Sequence, residues 1–203
     1  MTTEVINTML GKTDYLTYID KGIDYDTYMV RLAHDAAHNT DDKYKEYINM
    51  NLHRIHRVEK TYHMGEEMKN VLNSLTHPIH WLVITEHWCG DAAQIVPVMH
   101  AISIASEGKI KMSLVYRDQN PELINAHLTD NTKSIPKVVQ LDAEYNVTGS
   151  WGPRPVFAQA LVKKLKANPE TAATYANELH LWYARDKQQT IEAELTELLR
   201  KAK

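Results

Sequence analysis

A single cysteine, Cys89, is all the thiol chemistry this 203-residue chain holds. That excludes an internal disulfide framework and suits a reducing, cytoplasmic setting. Long apolar runs are missing too: no stretch approaches the ~18 residues that would cross a membrane as a helix. The opening Met1-Thr2-Thr3-Glu4 lacks a basic region followed by an apolar one, so no signal peptide is expected. There is no excess of positive charge; a formal net charge of −3 argues against nucleic acid as a partner. Neither an internal repeat nor a low-complexity tract is visible. What remains is the composition of an ordinary globular protein, long enough for one substantial domain with appended helices.

Three zones divide the chain. Residues 1–76 are poor in glycine and proline and rich in Tyr, His, Met, Asp and Lys. Tyr28, Leu32 and Ala36 mark one face of a helix over 24–38. Tyr44, Ile48, Leu52, Ile55, Val58 and Tyr62 recur every three or four residues, the stripe of a longer helix. The stripe resumes at Met68, Val71, Leu72 and Leu75, so a break is expected near His63-Met64-Gly65. The middle zone, 77–168, opens on the apolar run Trp81-Leu82-Val83-Ile84, a strand covered on both faces. A helical pattern over 92–105 and a second strand over 111–116 complete a βαβ unit, whose strands must be parallel. A helix over 121–128, with Asn120 as its cap, leads to strands over 138–141 and 147–151 and a helix over 156–165. Beyond 169 the chain turns helical again. Leu179, Trp182 and Tyr183 form one apolar cluster and Ile191, Leu195, Leu198 and Leu199 another; the polar residues 185–189 between them are a solvated segment or a break.

At the first strand–helix junction stands Trp88-Cys89-Gly90-Asp91, and Ser134-Ile135-Pro136-Lys137 precedes the third strand. Together with Arg117-Asp118-Gln119-Asn120-Pro121 and Trp151-Gly152-Pro153-Arg154-Pro155, these segments resemble bacterial thioredoxin-like proteins of unsettled function. The resemblance covers roughly residues 76–168. It implies an α/β thioredoxin-like fold with a central mixed β-sheet. The helical extensions at 1–76 and 169–203 carry little of the resemblance; their apolar stripes have no partner but that sheet layer or each other, so they are expected to form one unit with it. The resemblance also implies a cis Ile135–Pro136 bond, with Pro136 facing Cys89. Dithiol members resolve a mixed disulfide with a second cysteine three residues on; here that position is Ala92. Monothiol glutaredoxins manage with one thiol and glutathione, but their Cys-Gly-Phe-Ser pattern is not Cys89-Gly90-Asp91-Ala92. The implied function is thiol–disulfide exchange by a monothiol route through Cys89. No cofactor is needed, with glutathione as a candidate co-substrate and protein or small thiols and disulfides as partners. A non-catalytic binding module and a single-cysteine peroxide sensor are the rival readings.

The residues carry their own expectations. Cys89 at a helix N-terminus gains from unpaired N–H groups that favour a thiolate, while the Asp91 carboxylate opposes it or caps the helix instead. Arg154 would pair with Asp91, bind an anionic substrate, or simply lie on the surface. The balance of these influences is expected to leave Cys89 more reactive than an ordinary thiol. Trp88, Ile135, Pro136 and Trp151 are expected to flank a substrate groove. Glu86 and His87 read as surface residues at a strand end, and Arg54, Arg57 and Lys60 as the solvated face of their helix. His34 with His38, and His53 with His56, have ligand-like spacing but lack the further ligands of a metal site, so no metal is expected.

Overall fold

The protein is described by a computed structural model covering residues 10–38 and 42–202. The Met1–Glu4 segment, on which the signal-peptide expectation rests, lies outside the described residues. Four strands form one sheet: β1 (Ile79–Thr85), β2 (Ile110–Tyr116), β3 (Lys137–Leu141) and β4 (Val147–Trp151), in the order β2-β1-β3-β4. All seven residues of β1 are buried, which is why its sequence is an almost unbroken apolar run. It pairs in parallel with β2, Ile79 opposite Ile110 through Thr85 opposite Tyr116, and antiparallel with β3. The parallel pair requires a crossover, supplied by α5 (Ala92–Ala105), whose residues from Ala92 to Met99 are all buried. The β3–β4 hairpin is closed by the Asp142 carboxylate, which accepts the backbone N–H groups of Glu144 and Asn146 at 2.9 Å each.

Helices surround this sheet: α1 (Lys12–Lys21), α2 (Tyr25–His38), α3 (Asp42–Thr61) and α4 (Glu66–Ser74) before it, and α6 (Pro121–Ala126) within it. α7 (Val156–Ala167), α8 (Tyr175–Asp186) and α9 (Gln189–Arg200) follow it. Their stripes reach one continuous core that runs from Tyr15 to Leu199 and includes Ile48, Ile55 and Val58 of α3 and Leu195 and Leu199 of α9. The break between α3 and α4 is held from the far end of the chain. The Glu192 carboxylate of α9 accepts the Gly65 N–H at 3.0 Å and the Tyr62 hydroxyl at 2.5 Å. A Cβ at Gly65 would sit 2.7 Å from that carboxylate and would have to push it aside. Residues 185–189 do contain a break: Lys187 and Gln188, both at positive φ, separate α8 from α9.

One element is unannounced in the sequence, and one local expectation changes. α1 has no clear stripe, burying only Tyr15 of its ten residues, and its periodicity does not announce it. The connection after it nevertheless closes the outer edge of β2, where Ile23 and Leu114 exchange backbone hydrogen bonds at 2.9 and 2.8 Å. Asn120 does stand before α6 with Pro121 at the first position, but its side chain does not cap the helix. Its amide instead donates to the Tyr116 carbonyl at 2.7 Å, closing the 3₁₀ turn Arg117–Gln119 that ends β2.

Candidate functional site

β1 delivers the chain to a tight turn in which the Cys89 N–H donates to the Glu86 carbonyl at 3.1 Å. Cys89 therefore sits at the mouth of α5. Its sulfur donates to the Ile135 carbonyl at 3.3 Å, so the segment ahead of β3 lies over it. The Ile135–Pro136 peptide is cis, and so is Gly152–Pro153. The loop after β4 comes down on the same segment: a Cβ at Gly152, whose φ is +118°, would meet the Pro136 carbonyl oxygen at 2.2 Å. Only glycine permits that approach, and the approach carries the next residues, with Arg154, back to the N-terminus of α5.

There Asp91 and Arg154 form a buried pair. The guanidinium grips the carboxylate with both prongs, Nε to Oδ1 at 3.1 Å and Nη2 to Oδ2 at 2.5 Å. Arg154 also donates to Gln159 at 2.6 Å, and the Tyr183 hydroxyl of α8 donates to Asp91 Oδ1 at 2.7 Å. The two side chains are only 9% and 14% exposed. Asp91 does stand at the cap position of α5, but its carboxylate makes no cap bond because these three donors have claimed it.

The expected activation of the thiol is reversed. Cys89 is 7% exposed, and burial, then the nearby Asp91 charge, pushes its pKa up to about 12. The backbone N–H groups of Ala92 and Asp91, and the Arg154 charge, favour the thiolate as expected of a helix start, but they offset only part of this. At rest the sulfur holds its proton.

A cavity of about 740 Å³ opens beside Cys89. Trp88, Asp91, Ile135 and Arg154 share its wall with Cys89, whereas Pro136 and Trp151 do not line it. Pro136 is buried beneath, and the Trp151 indole turns away to donate to Glu194 of α9 at 2.6 Å, stitching β4 to the C-terminal helix. Trp88 stacks on Tyr44 with centroids 5.6 Å apart, and the Arg117 guanidinium lies 4.7 Å over its ring.

Several wall residues depart from their sequence expectation. Arg54 is half-buried rather than solvated; it donates to Asn51 at 2.9 Å and lines the cavity. Arg57 donates to Gln94 at 2.8 Å. His180 of α8 lies against Gly90, where an added Cβ would meet its ring at 3.0 Å. Burial, then the Arg54 charge, lowers the His180 pKa to about 4. His87 is buried, not a surface residue. Its ring joins Asp35 of α2 at 2.7 Å and the Tyr116 hydroxyl at 3.0 Å, and its carbonyl accepts from Asn51. His87, Asp35 and Tyr116 help wall a second cavity of about 560 Å³, which shares Tyr44 and Trp88 with the first. Tyr183 and His180 are legible in sequence only as members of a helix face; a buried tyrosine needs a hydroxyl partner, which is the available hint. His34 and His38 stack on each other at 4.5 Å, and among the described residues no three His, Cys, Asp or Glu converge to hold a metal ion.

Burial lowers the pKa of five histidines, His80, His87, His100, His127 and His180, and the two shifted furthest contribute most to the acid limb of stability. His127, hydrogen-bonded through Nε2 to the Tyr15 hydroxyl at 2.9 Å, is lowered by burial to about 4 like His180. Both are neutral when folded and take up protons near 6.5 when unfolded. Their contribution is thus fully present above that value and is lost as pH falls through about 4. Each moves stability by at most ~1.4 kcal/mol per pH unit, less where the ring meets solvent. Urea midpoints measured from pH 7 to 4 should fall, and His180→Gln should flatten the fall.

No curated protein matches the chain. Among the solved structures that share its fold are a protein of unknown function from Pseudomonas aeruginosa and an HIV epitope-scaffold. The first is 17% identical, with 93% of this chain and 98% of that one covered and a TM-score of 0.63. For the second the figures are 16%, 93%, 99% and 0.62. A family model described as thioredoxin matches residues 37–166, from the end of α2 to the end of α7. With that match, a mixed sheet crossed by α5 and a lone thiol at the head of that helix, the chain belongs to the thioredoxin family.

Proposed function

We propose that this protein exchanges disulfides by a monothiol route in which Cys89 is the nucleophile. The observation that carries this is the placement of its lone sulfur. Cys89 lines an open cavity, with the backbone N–H groups of Asp91 and Ala92 beside the sulfur and the carboxylate next to it already paired with Arg154. The sulfur would attack one sulfur of a bound disulfide. The disulfide bond breaks, the leaving thiolate takes the proton that Cys89 gives up, and a Cys89 mixed disulfide remains. Ala92 cannot resolve it, so a second, external thiol must. Trp88 and Ile135 would contact the substrate; Asp91 and Arg154 would tune the sulfur. No cofactor enters, and a thiol such as glutathione in a reducing cytoplasm would be the co-substrate. Among the described residues no helix is long and apolar enough to cross a membrane.

A second reading has a specific observation in its favour. A thiol whose pKa is pushed up to about 12 suits a binding module that inherited its cysteine. Oxidised glutathione separates the two. On the exchange reading it converts folded protein to a single mixed disulfide at Cys89, which reduced glutathione reverses. Insulin disulfides are then reduced only when such a thiol is added. Folded protein that stays unmodified, while the urea-unfolded chain is modified, leaves the binding module.

A further inference from the structure

The charges around the Cys89 cavity run against those of the whole molecule. The chain carries a formal charge of −3, yet the described residues lining this cavity include four cations and one carboxylate. Arg154 and Asp91 cancel each other in their buried pair. Arg54, Arg117 and Lys133 are left over. Arg54 is half-buried, has no carboxylate within ion-pair distance among the described residues, and its Nη1 would lie 3.4 Å from a Cβ at Gly90, next to the thiol. Desolvating a guanidinium is costly; the Asp91 charge, already paired with Arg154, offsets only part of that cost, and a bound anion would relieve the rest. Among the described residues the one ion pair of Arg117 is with its neighbour Asp118, itself 60% exposed, a contact of little strength. Its other contacts, the Trp88 ring and the Lys133 carbonyl, do not neutralise it. Lys133 is exposed on the loop before Ile135.

We propose that the cavity selects small disulfides that carry carboxylates, held by Arg54, Arg117 and Lys133 so that the disulfide lies against Cys89. About 740 Å³ is the size of a small-molecule site. Arg154, a candidate anion contact from sequence, is not part of this set because Asp91 occupies it. The chemistry rests on the exchange reading above: the Cys89 thiol and a disulfide RSSR become the Cys89–SSR mixed disulfide and RSH. The charge preference stands on the cavity wall and is tested separately.

The test compares three reagents: dithiodiglycolate, which is anionic, 2-hydroxyethyl disulfide, which is neutral, and cystamine, which is cationic. Each rate of Cys89 thiolation in the folded protein is divided by the rate for the same chain unfolded in urea, which removes intrinsic reagent reactivity. The folded-to-unfolded ratio should be about tenfold higher for the anionic reagent than for the neutral one, and lowest for cystamine. Added salt should shrink the difference. Arg54→Gln and Lys133→Gln should each lower the anionic ratio severalfold more than the neutral one. Equal ratios for the three reagents, or an anionic ratio indifferent to Arg54→Gln, would overturn the proposal. If folded Cys89 reacts with none of them, it is the exchange reading that fails. The charge preference is then decided by the Trp88 indole N–H resonance of Cys89→Ser during a dithiodiglycolate titration. A saturable shift that weakens with salt and with Arg54→Gln supports the proposal, and no shift overturns it.

Discussion

Iodoacetamide should alkylate Cys89 near neutral pH about a thousandfold more slowly in the folded protein than in the urea-unfolded chain. The factor follows from a thiol raised from 9.0 to about 12, three decades of thiolate lost. Two substitutions apportion the cause. Asp91→Asn removes the second-largest contribution and should quicken the folded reaction, while Arg154→Ala removes a compensating charge and should slow it further. The same proton affects stability. Because the folded pKa lies above the unfolded one, the contribution of the buried thiol is fully present below about 9. It is lost as pH rises through about 12. Wild type should therefore lose stability on the alkaline side faster than Cys89→Ser does. A folded alkylation rate equal to the unfolded one would show that burial does not control this sulfur.

Arg154→Ala should also be among the most destabilising single substitutions available, by about 3–5 kcal/mol in urea unfolding, because it strands a buried carboxylate. Asp91 would keep only the Tyr183 hydroxyl as a side-chain donor. The double variant Asp91→Leu with Arg154→Met, which removes both charges, should recover much of the loss, as apolar replacements of buried pairs often do. Loss of less than about 1 kcal/mol in the single variant would mean that solvent reaches the pair and that its strength is that of a surface contact.

Most of the architecture could be read from local pattern because local pattern is what burial imposes. The apolar run of β1 is apolar because both its faces are covered, and the stripe of α3 follows from one face meeting the core. α1 escapes a reading by pattern because it buries a single tyrosine and leaves no stripe. The site divides the same way. Cys89, the helix start behind it and the opposing charge of Asp91 are neighbours in sequence, so these influences on the thiol are all visible there. Their balance is not, since the residue over the sulfur, Ile135, is 46 positions away and burial outweighs every other influence on the thiol. Tyr183 reaches Asp91 from 92 positions away on a helix whose spacing marks it only as apolar. Arg54 and His180 likewise enter the cavity from helices outside the segment that carries the family motifs.

A thiol held protonated at rest can still be a specific nucleophile if the site binds its electrophile. The most direct measurement is the ratio of two rate constants at Cys89, thiolation by oxidised glutathione over alkylation by iodoacetamide, in the folded protein and in the urea-unfolded chain. Folding slows both reactions by burying the sulfur, but only the disulfide gains from being held in the cavity. The ratio should therefore be at least about tenfold higher in the folded protein. A ratio that is the same in both states, or lower when folded, would contradict a disulfide-exchange role for Cys89.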